Sequence, residues 1–192
     1  MSGTTSLPPT PEEVLATTRA WIEKAVIGLN LCPFAKAVYL REQVRYVVSE
    51  AETEEELLDE LERELLFLEE ADPEAVDTTL LIHPRVLGEF LDYNDFLAVV
   101  DDALQRLELD GVIQIASFHP DYRFAGTAPD DVTNCTNRSP YPILHLLREA
   151  SVERAVAAFP EAEAIFERNM ETLRRFGWVG WEVLMAGKGS EG

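Results

Sequence analysis

Three stretches of the chain carry apolar residues at helical spacing. The first begins at Pro11, with Thr10 placed to cap it, and Pro33 ends it because the residue before a proline avoids the helical region. The second opens with a capping box at Thr53 and runs to about residue 70, and the third covers residues 96–107. The 3.6-residue period predicts amphipathic helices that pack on a common core.

Short segments rich in β-branched and aromatic residues lie between these helices. They predict strands near residues 44–49, 78–82 and 112–118. This β-α-β-α-β order is typical of an α/β fold in which crossover helices cover a small sheet. Helical spacing returns over residues 142–159 and 161–176, and residues 181–185 are a candidate fourth, edge strand.

The pattern as a whole predicts one α/β domain. It covers residues 11–187 and combines a sheet of three or four strands with a helical C-terminal region. Residues 1–10 and 188–192 are expected to be flexible ends.

Composition narrows the function classes. The chain has 192 residues with 36 acidic and 16 basic side chains, a formal charge of −20, which excludes nucleic-acid binding through a basic surface. No apolar run reaches the length of about 18 residues that a membrane-spanning helix needs, and the first residues lack a secretory signal. The two distant cysteines fit free thiols in the cytoplasm. Residues 50–72 carry a net charge of −11, so the overall acidity does not argue against an anionic ligand at a site elsewhere in the chain.

Residues 119–141 are the segment that no helix or strand pattern explains. Loops longer than about 12–15 residues are uncommon in compact domains and are often functional. This loop leaves the end of a predicted strand, which is where α/β proteins bind ligands. His119 is therefore a candidate general acid/base, Asp121 a candidate partner that orients it, and Tyr122 and Tyr141 candidate substrate contacts.

The far end of the loop carries a candidate anion site. Ser139 is placed to cap the predicted helix that follows, and Arg138 and Asn137 lie beside that positive helix end. The alternative is that Arg138 pairs with Asp121 or with an acid at 130–131 and thereby pins the loop.

A second candidate is a divalent transition metal, the one cofactor that the residues suggest. His145 and Glu149 are four residues apart and share a face of the predicted helix. Together with His119 and Asp121 they supply the ligand types of an iron, zinc or manganese site. The alternative is that His145 lies in the core with one ring nitrogen bonded.

Cys32 is a candidate nucleophile. If Pro33 starts a short helix, Cys32 caps it, and the helix dipole there favours the thiolate. Pairing with His119 or His145 across a pocket would make Cys32 a nucleophile. The alternative is a buried thiol that only fills space. His83, which follows a strand without further polar neighbours in sequence, is expected to be structural.

Five segments carry a resemblance to a known family. They are Gly28–Lys36, Ala116–Tyr122, Thr136–Pro142, Leu144–Glu149 and Glu167–Asn169. Together they resemble a bacterial family catalogued as domain of unknown function 1415, with similarity from about Thr18 to Gly187. The resemblance implies a stand-alone cytoplasmic bacterial protein and assigns no residue a role. Cys135 stands where the family pattern has an aromatic residue, which argues against a catalytic thiol there.

Two function classes follow from these residues. The first is an enzyme that acts on a small anionic or polar metabolite, at a site built from the 119–141 loop, the predicted helix after it and the Cys32 turn. The alternative is a non-catalytic module that binds a metabolite or a protein, which an exposed aromatic patch would favour if His119 and Asp121 serve only loop hydrogen bonds. The oligomeric state is left open.

Overall fold

The structure is a computed structural model that describes residues 8–159 and 161–186. The α-helices in that part of the chain are α1 (Pro11–Trp21, continued by the π-helical turns Ile22–Ile27), α2 (Ala35–Leu40), α3 (Glu54–Glu70), α4 (Phe90–Arg106), α5 (Glu149–Ala157) and α6 (Ile165–Ala186). The strands there are β1 (Val44–Val48), β2 (Thr78–Ile82), β3 (Ile113–Phe118) and β4 (Ile143–Arg148). Short 3-10 helices span Val132–Asn137 and Ala162–Ala164.

The four strands form one mixed sheet in the order β1-β2-β4-β3. β1 and β2 are parallel, and β4 is antiparallel to both β2 and β3. β1, β2 and β3 therefore run in one direction and end at the same side of the sheet, which we call the carboxyl edge. The α/β class predicted from the sequence is confirmed, with α3 and α4 as the connections between successive parallel strands.

Helices cover both faces of the sheet. On one face, which we call the α3 face, leucines of α3 and apolar residues of α4 pack against Leu81 and Leu144. On the other, the α1 face, α1 and α6 pack against Leu80 and Ile143. Successive strand residues thus enter different cores, and all five residues of β2 are buried. Burial on both faces explains why β2 reads as an uninterrupted run of threonine and aliphatic residues.

The fourth strand is not the predicted one. Residues 181–185 belong to α6, where Trp181 packs into the core on the α1 face. The fourth strand is β4, which lies within the segment 142–159 that was predicted to be helical. Its run Ile-Leu-His-Leu-Leu is apolar on both sides, and such a short run fits a buried helix or a fully buried strand equally well. Pairing with both β2 and β3 decides in favour of the strand.

α6 changes direction at Gly177. This residue has φ 70° and ψ 172°, outside the helical region, and the helix resumes after it. Glycine adopts such a positive φ without the steric cost that a side chain would add. The predicted helix end at residue 176 therefore marks a real break in the backbone, although the helix continues beyond it.

The ends of the chain lie mostly outside the described residues. Of the flexible ends predicted at 1–10 and 188–192, residues 1–7 and 188–192 lie outside the described residues, whereas Thr10 is the N-cap of α1. No helix within residues 8–159 and 161–186 is long and apolar enough to cross a membrane.

Candidate functional site

The carboxyl edge brings two buried histidines together. His83 follows β2 and His119 follows β3, and both are fully buried. Both rings contact the ring of Tyr93 of α4, with centroid distances of 5.8 Å for His83 and 5.1 Å for His119. The Tyr93 hydroxyl donates to the carbonyl of Ile143 at 2.8 Å and accepts from the amide of Phe118 at 3.1 Å. The Tyr93 hydroxyl thus links β4 to β3.

Both ring nitrogens of His119 are occupied by main-chain groups. Nε2 lies 3.1 Å from the carbonyl oxygen of Leu87, and Nδ1 accepts from the amide of Asp121 at 3.0 Å. Burial lowers the pKa of His119, so the ring is neutral with its proton on Nε2. Leu87 itself has φ 59°, an uncommon conformation for a bulky residue. His119 therefore ties two loops together, and Asp121 contributes its backbone while its side chain is exposed.

The backbone of His119 is anchored to the far end of the loop. Its amide donates to the carbonyl of Asn137 at 3.2 Å, and the Asn137 side chain donates to Ser117 at 2.9 Å. The Ser139 hydroxyl donates to the carbonyl of Tyr141 at 2.6 Å. The predicted role of Ser139 as a helix cap is wrong, because β4 follows it. Asn137 and Ser139 thus shape the loop, and no helix end lies there to bind an anion.

Arg138 pins the loop through carbonyl oxygens. Its Nε donates to Tyr122 at 3.2 Å and its Nη2 to Pro129 at 2.8 Å. The guanidinium also lies over the ring of Trp178 in α6, 5.1 Å from the centroid. Of the two interpretations of Arg138, these contacts support the pinning role, with main-chain oxygens in place of the expected carboxylates.

The four candidate metal ligands are not assembled. His145 lies in β4 opposite Leu80 on the α1 face, whereas His119 contacts Tyr93 in the α3-face core. The Nε2 of His145 is 2.7 Å from the Thr78 hydroxyl, and burial lowers the pKa of His145 to about 4. Glu149 begins α5 and shares no helical face with His145. Within the described residues, no group of three or more His, Cys, Asp or Glu is placed to hold a metal ion.

The thiol of Cys32 is held in its neutral form. Burial is the largest influence and raises the pKa of Cys32, although the amides of Phe34 and Ala35 act in the opposite direction. α2 begins only at Ala35, so Cys32 does not cap it and the predicted capping position is wrong. Burial also raises the pKa of Cys135 to about 12, and that side chain is fully buried in the core. The raised pKa values disfavour the thiolate form of both cysteines.

One ring nitrogen of His83 has a hydrogen-bond partner and the other has none among the described residues. Its Nδ1 lies 3.1 Å from the carbonyl oxygen of Val86, so Nδ1 carries the proton. Its Nε2 is buried without a hydrogen-bond partner among the described residues. Burial lowers the pKa of His83 to about 4. A repeated signal marks both histidines in the sequence, because each strand is followed by the same His-Pro pair, at 83–84 and at 119–120.

A cleft of about 350 Å³ opens between the 119–141 loop and α6. It is lined by Phe124, Ala125, Thr127, Thr133, Phe166 and Met170. The rings of Phe124 and Phe166 meet edge to face, with centroids 6.1 Å apart, and Phe166 is 52% exposed. We call this the Phe124–Phe166 cleft. The sequence analysis did not identify Phe166 and Met170 as site residues, because one aromatic residue on a helix forms no recognisable binding motif.

One buried side chain builds the loop wall of the cleft. The Oδ1 of Asn134 accepts from the amide of Phe124 at 3.1 Å and from the hydroxyl of Thr127 at 2.8 Å. Its Nδ2 donates to the carbonyl of Ala128 at 2.9 Å. Asn134 is fully buried, so these three bonds replace its contacts with water.

A chain of aromatic contacts connects the cleft with the carboxyl edge. Phe124 meets Tyr122 at 5.1 Å between centroids, Tyr122 meets Phe90 at 5.3 Å, and Phe90 meets His119 at 5.5 Å. Tyr122 is thus half-buried within the aromatic chain. The cleft and the buried histidines belong to one continuous packed region.

Asn134→Ala is expected to lower the free energy of unfolding by about 2 kcal/mol, because it removes a fully buried side chain and leaves the amide of Phe124 without its partner. Urea unfolding followed by circular dichroism measures this change. Thr136→Ala is the control, since it removes one local bond to Thr133 and should cost at most about 1 kcal/mol. Equal effects of the two changes would show that Asn134 does not hold the wall.

Comparisons with known proteins add a family and no activity. A family profile described as "Protein of unknown function (DUF1415)" matches residues 13–183, which confirms the resemblance seen in the sequence. No curated protein matches the chain, and no solved structure matches it.

Proposed function

The chain belongs to the family described as proteins of unknown function (DUF1415), and we propose that it is a small-molecule binding protein whose ligand lies in the Phe124–Phe166 cleft. The observation that carries the proposal is an open, ring-lined cleft whose loop wall is held by Asn134 and Arg138. Small-molecule sites are typically concave, largely preformed and mainly apolar. The cleft shares the concave shape and the mainly apolar lining.

The same contacts weaken the catalytic interpretation of the loop. A general acid or base must lie within hydrogen-bond reach of its substrate, whereas His119 is fully buried and both its ring nitrogens are occupied. Arg138 is engaged with two carbonyl oxygens and the ring of Trp178. Of the two function classes considered from the sequence, the non-catalytic binding module therefore has the better support.

An enzyme at the carboxyl edge is the second candidate function. The observation that favours it is the unpartnered Nε2 of His83, because a buried acceptor without a donor costs about 1–3 kcal/mol. A substrate hydroxyl or amine bonded there would recover that cost and would lie next to Tyr93 and His119. Such a reaction requires the loop to move away from the edge.

We propose a cytoplasmic, bacterial setting with a small molecule as the partner. Two free cysteines are typical of a reducing compartment, and the charge of −20 disfavours nucleic acid and anionic membrane surfaces.

A thermal-shift screen with metabolites and divalent metals tests both candidates. Ligands found with the wild-type chain are titrated against Phe166→Ala, against His83→Asn and against the control Val183→Ala, which alters an exposed residue on the same helix. The cleft predicts binding about tenfold weaker with Phe166→Ala and unchanged with the other two variants. Binding that is lost with His83→Asn and kept with Phe166→Ala would instead support the enzyme.

A further inference from the structure

The lining of the Phe124–Phe166 cleft offers no charge to a ligand. None of its six lining side chains is ionisable. The two threonine hydroxyls are already engaged, Thr127 with Asn134 at 2.8 Å and Thr133 with the Asp131 carboxylate at 2.7 Å. An anionic group placed in the cleft would lose its hydration without gaining a cation or a free donor from these residues, and that loss is costly.

The field of the whole chain acts in the same direction. Without the net −11 of residues 50–72, the chain still carries a formal charge of −9, which disfavours the approach of an anion. Arg138, the cation that suggested an anionic ligand, donates to carbonyl oxygens of its own loop. The anionic class expected from the sequence therefore has no partner at this cleft.

The size of the cleft fits a small ring system. Its volume is about 350 Å³, about twice that of an apolar cavity of about 150 Å³ that takes up benzene. The volume lies at the lower end of the range of about 300–1,000 Å³ that is typical of small-molecule sites, which fits one or two fused rings.

The lining also favours a flat ring in particular. Phe124 and Phe166 stand at 86° to each other, and the 52% exposure of Phe166 leaves part of its ring open to a ligand. Aromatic rings pair well edge to face or offset, and a thioether such as that of Met170 adds favourable contact with a ring edge.

We infer that the Phe124–Phe166 cleft binds an uncharged, flat, apolar group of one or two fused rings, an inference that rests on the proposed function of this cleft. Two ligands with the same ring test it: indole, which is neutral, and indole-3-acetate, which is an anion. The chain has three methionines, so methyl-labelled methionine gives few NMR signals, and Met170 lies in the cleft while Met185 packs on the α1 face. Met170→Leu assigns the cleft signal.

Indole is expected to shift the Met170 methyl signal saturably and to leave Met185 unchanged. Indole-3-acetate should bind at least about tenfold more weakly. Ala125→Lys adds a cation at an exposed position of the lining and should bring indole-3-acetate to within about threefold of indole. Phe166→Ala should weaken both ligands, and Val183→Ala neither.

The outcomes separate the inference from the function on which it rests. Binding of indole-3-acetate at Met170 as tight as that of indole would overturn the ligand class and leave the cleft as a binding site. An unchanged affinity for indole-3-acetate in Ala125→Lys would also contradict the charge argument. No shift of the Met170 signal with either ligand would remove the proposed function together with the inference.

Discussion

His119→Ala is expected to lower the free energy of unfolding by about 4 kcal/mol. The imidazole is fully buried, so its removal leaves a cavity, and such large-to-small changes cost about 2–5 kcal/mol. The change also leaves the carbonyl of Leu87 and the amide of Asp121 without their partner. Urea unfolding of the two chains measures the difference.

Asp121→Ala is the matched control for this prediction. The Asp121 carboxylate is exposed, and the bond to His119 comes from its backbone amide, which alanine retains. Its effect should stay within about 0.5 kcal/mol. A catalytic histidine gives a different result, because its loss would abolish an activity while the stability stayed within about 1 kcal/mol of the wild type. That result would contradict the structural role of His119.

Acidification from pH 7 to pH 4 is expected to remove about 6 kcal/mol of stability through two buried histidines. Burial lowers the pKa of His83 and that of His145 to about 4, while the unfolded chain titrates near 6.5. Since the unfolded state binds the proton first, this stability is complete above about pH 6.5 and is lost as the pH falls toward 4. For each ring, the difference between the pKa in the unfolded chain and the pKa in the fold corresponds to about 3 kcal/mol of stability.

Variants isolate this effect from the titration of the carboxylates. His83→Asn keeps an amide near the carbonyl of Val86, and His145→Gln keeps an amide near the hydroxyl of Thr78. Neither replacement titrates, so the stability advantage of the wild type over each variant should shrink by about 3 kcal/mol between pH 7 and pH 4. Stability curves that stay parallel for wild type and variants over this range would show that these rings are not kept neutral by the fold.

The strands and helices were predictable where their hydrophobic period was unambiguous. β2 agrees with the predicted bounds and β1 and β3 agree within one residue, because turn residues separate each from a helix of clear 3.6-residue period. β4 was not predictable in the same way, because its apolar run shows neither the two-residue period of a half-buried strand nor the 3.6-residue period of a helix. It forms a strand because it pairs with β2 on one side and β3 on the other. The missing period is also the reason why His145 was assigned to a helix.

The candidate residues of the loop were easier to identify from the sequence than the roles they have in the structure. The sequence marked His119, Asn137, Arg138 and Ser139 as residues that a simple loop does not need, and all four lie in one hydrogen-bonded region. Their partners are mostly main-chain oxygens and amides, which every residue carries and which no sequence pattern distinguishes. A polar residue that binds a ligand and one that holds a loop thus look alike until the contacts are known.

The cleft was the least predictable feature. Phe124 and Phe166 are about forty residues apart in sequence, and only the packing of α6 against the 119–141 loop brings them within 6.1 Å. His83 was expected to be structural, and its ring contact with Tyr93 depends on the packing of α4, which the sequence pattern does not show.

A crystal structure of the chain with a ligand from the thermal-shift screen tests the central claim most directly. The account predicts electron density for the ligand in the Phe124–Phe166 cleft, against the rings that line it, with His119 still bonded to Leu87 and to the amide of Asp121. Ligand density within hydrogen-bond distance of Nε2 of His83, with the 119–141 loop displaced from the carboxyl edge, would contradict it.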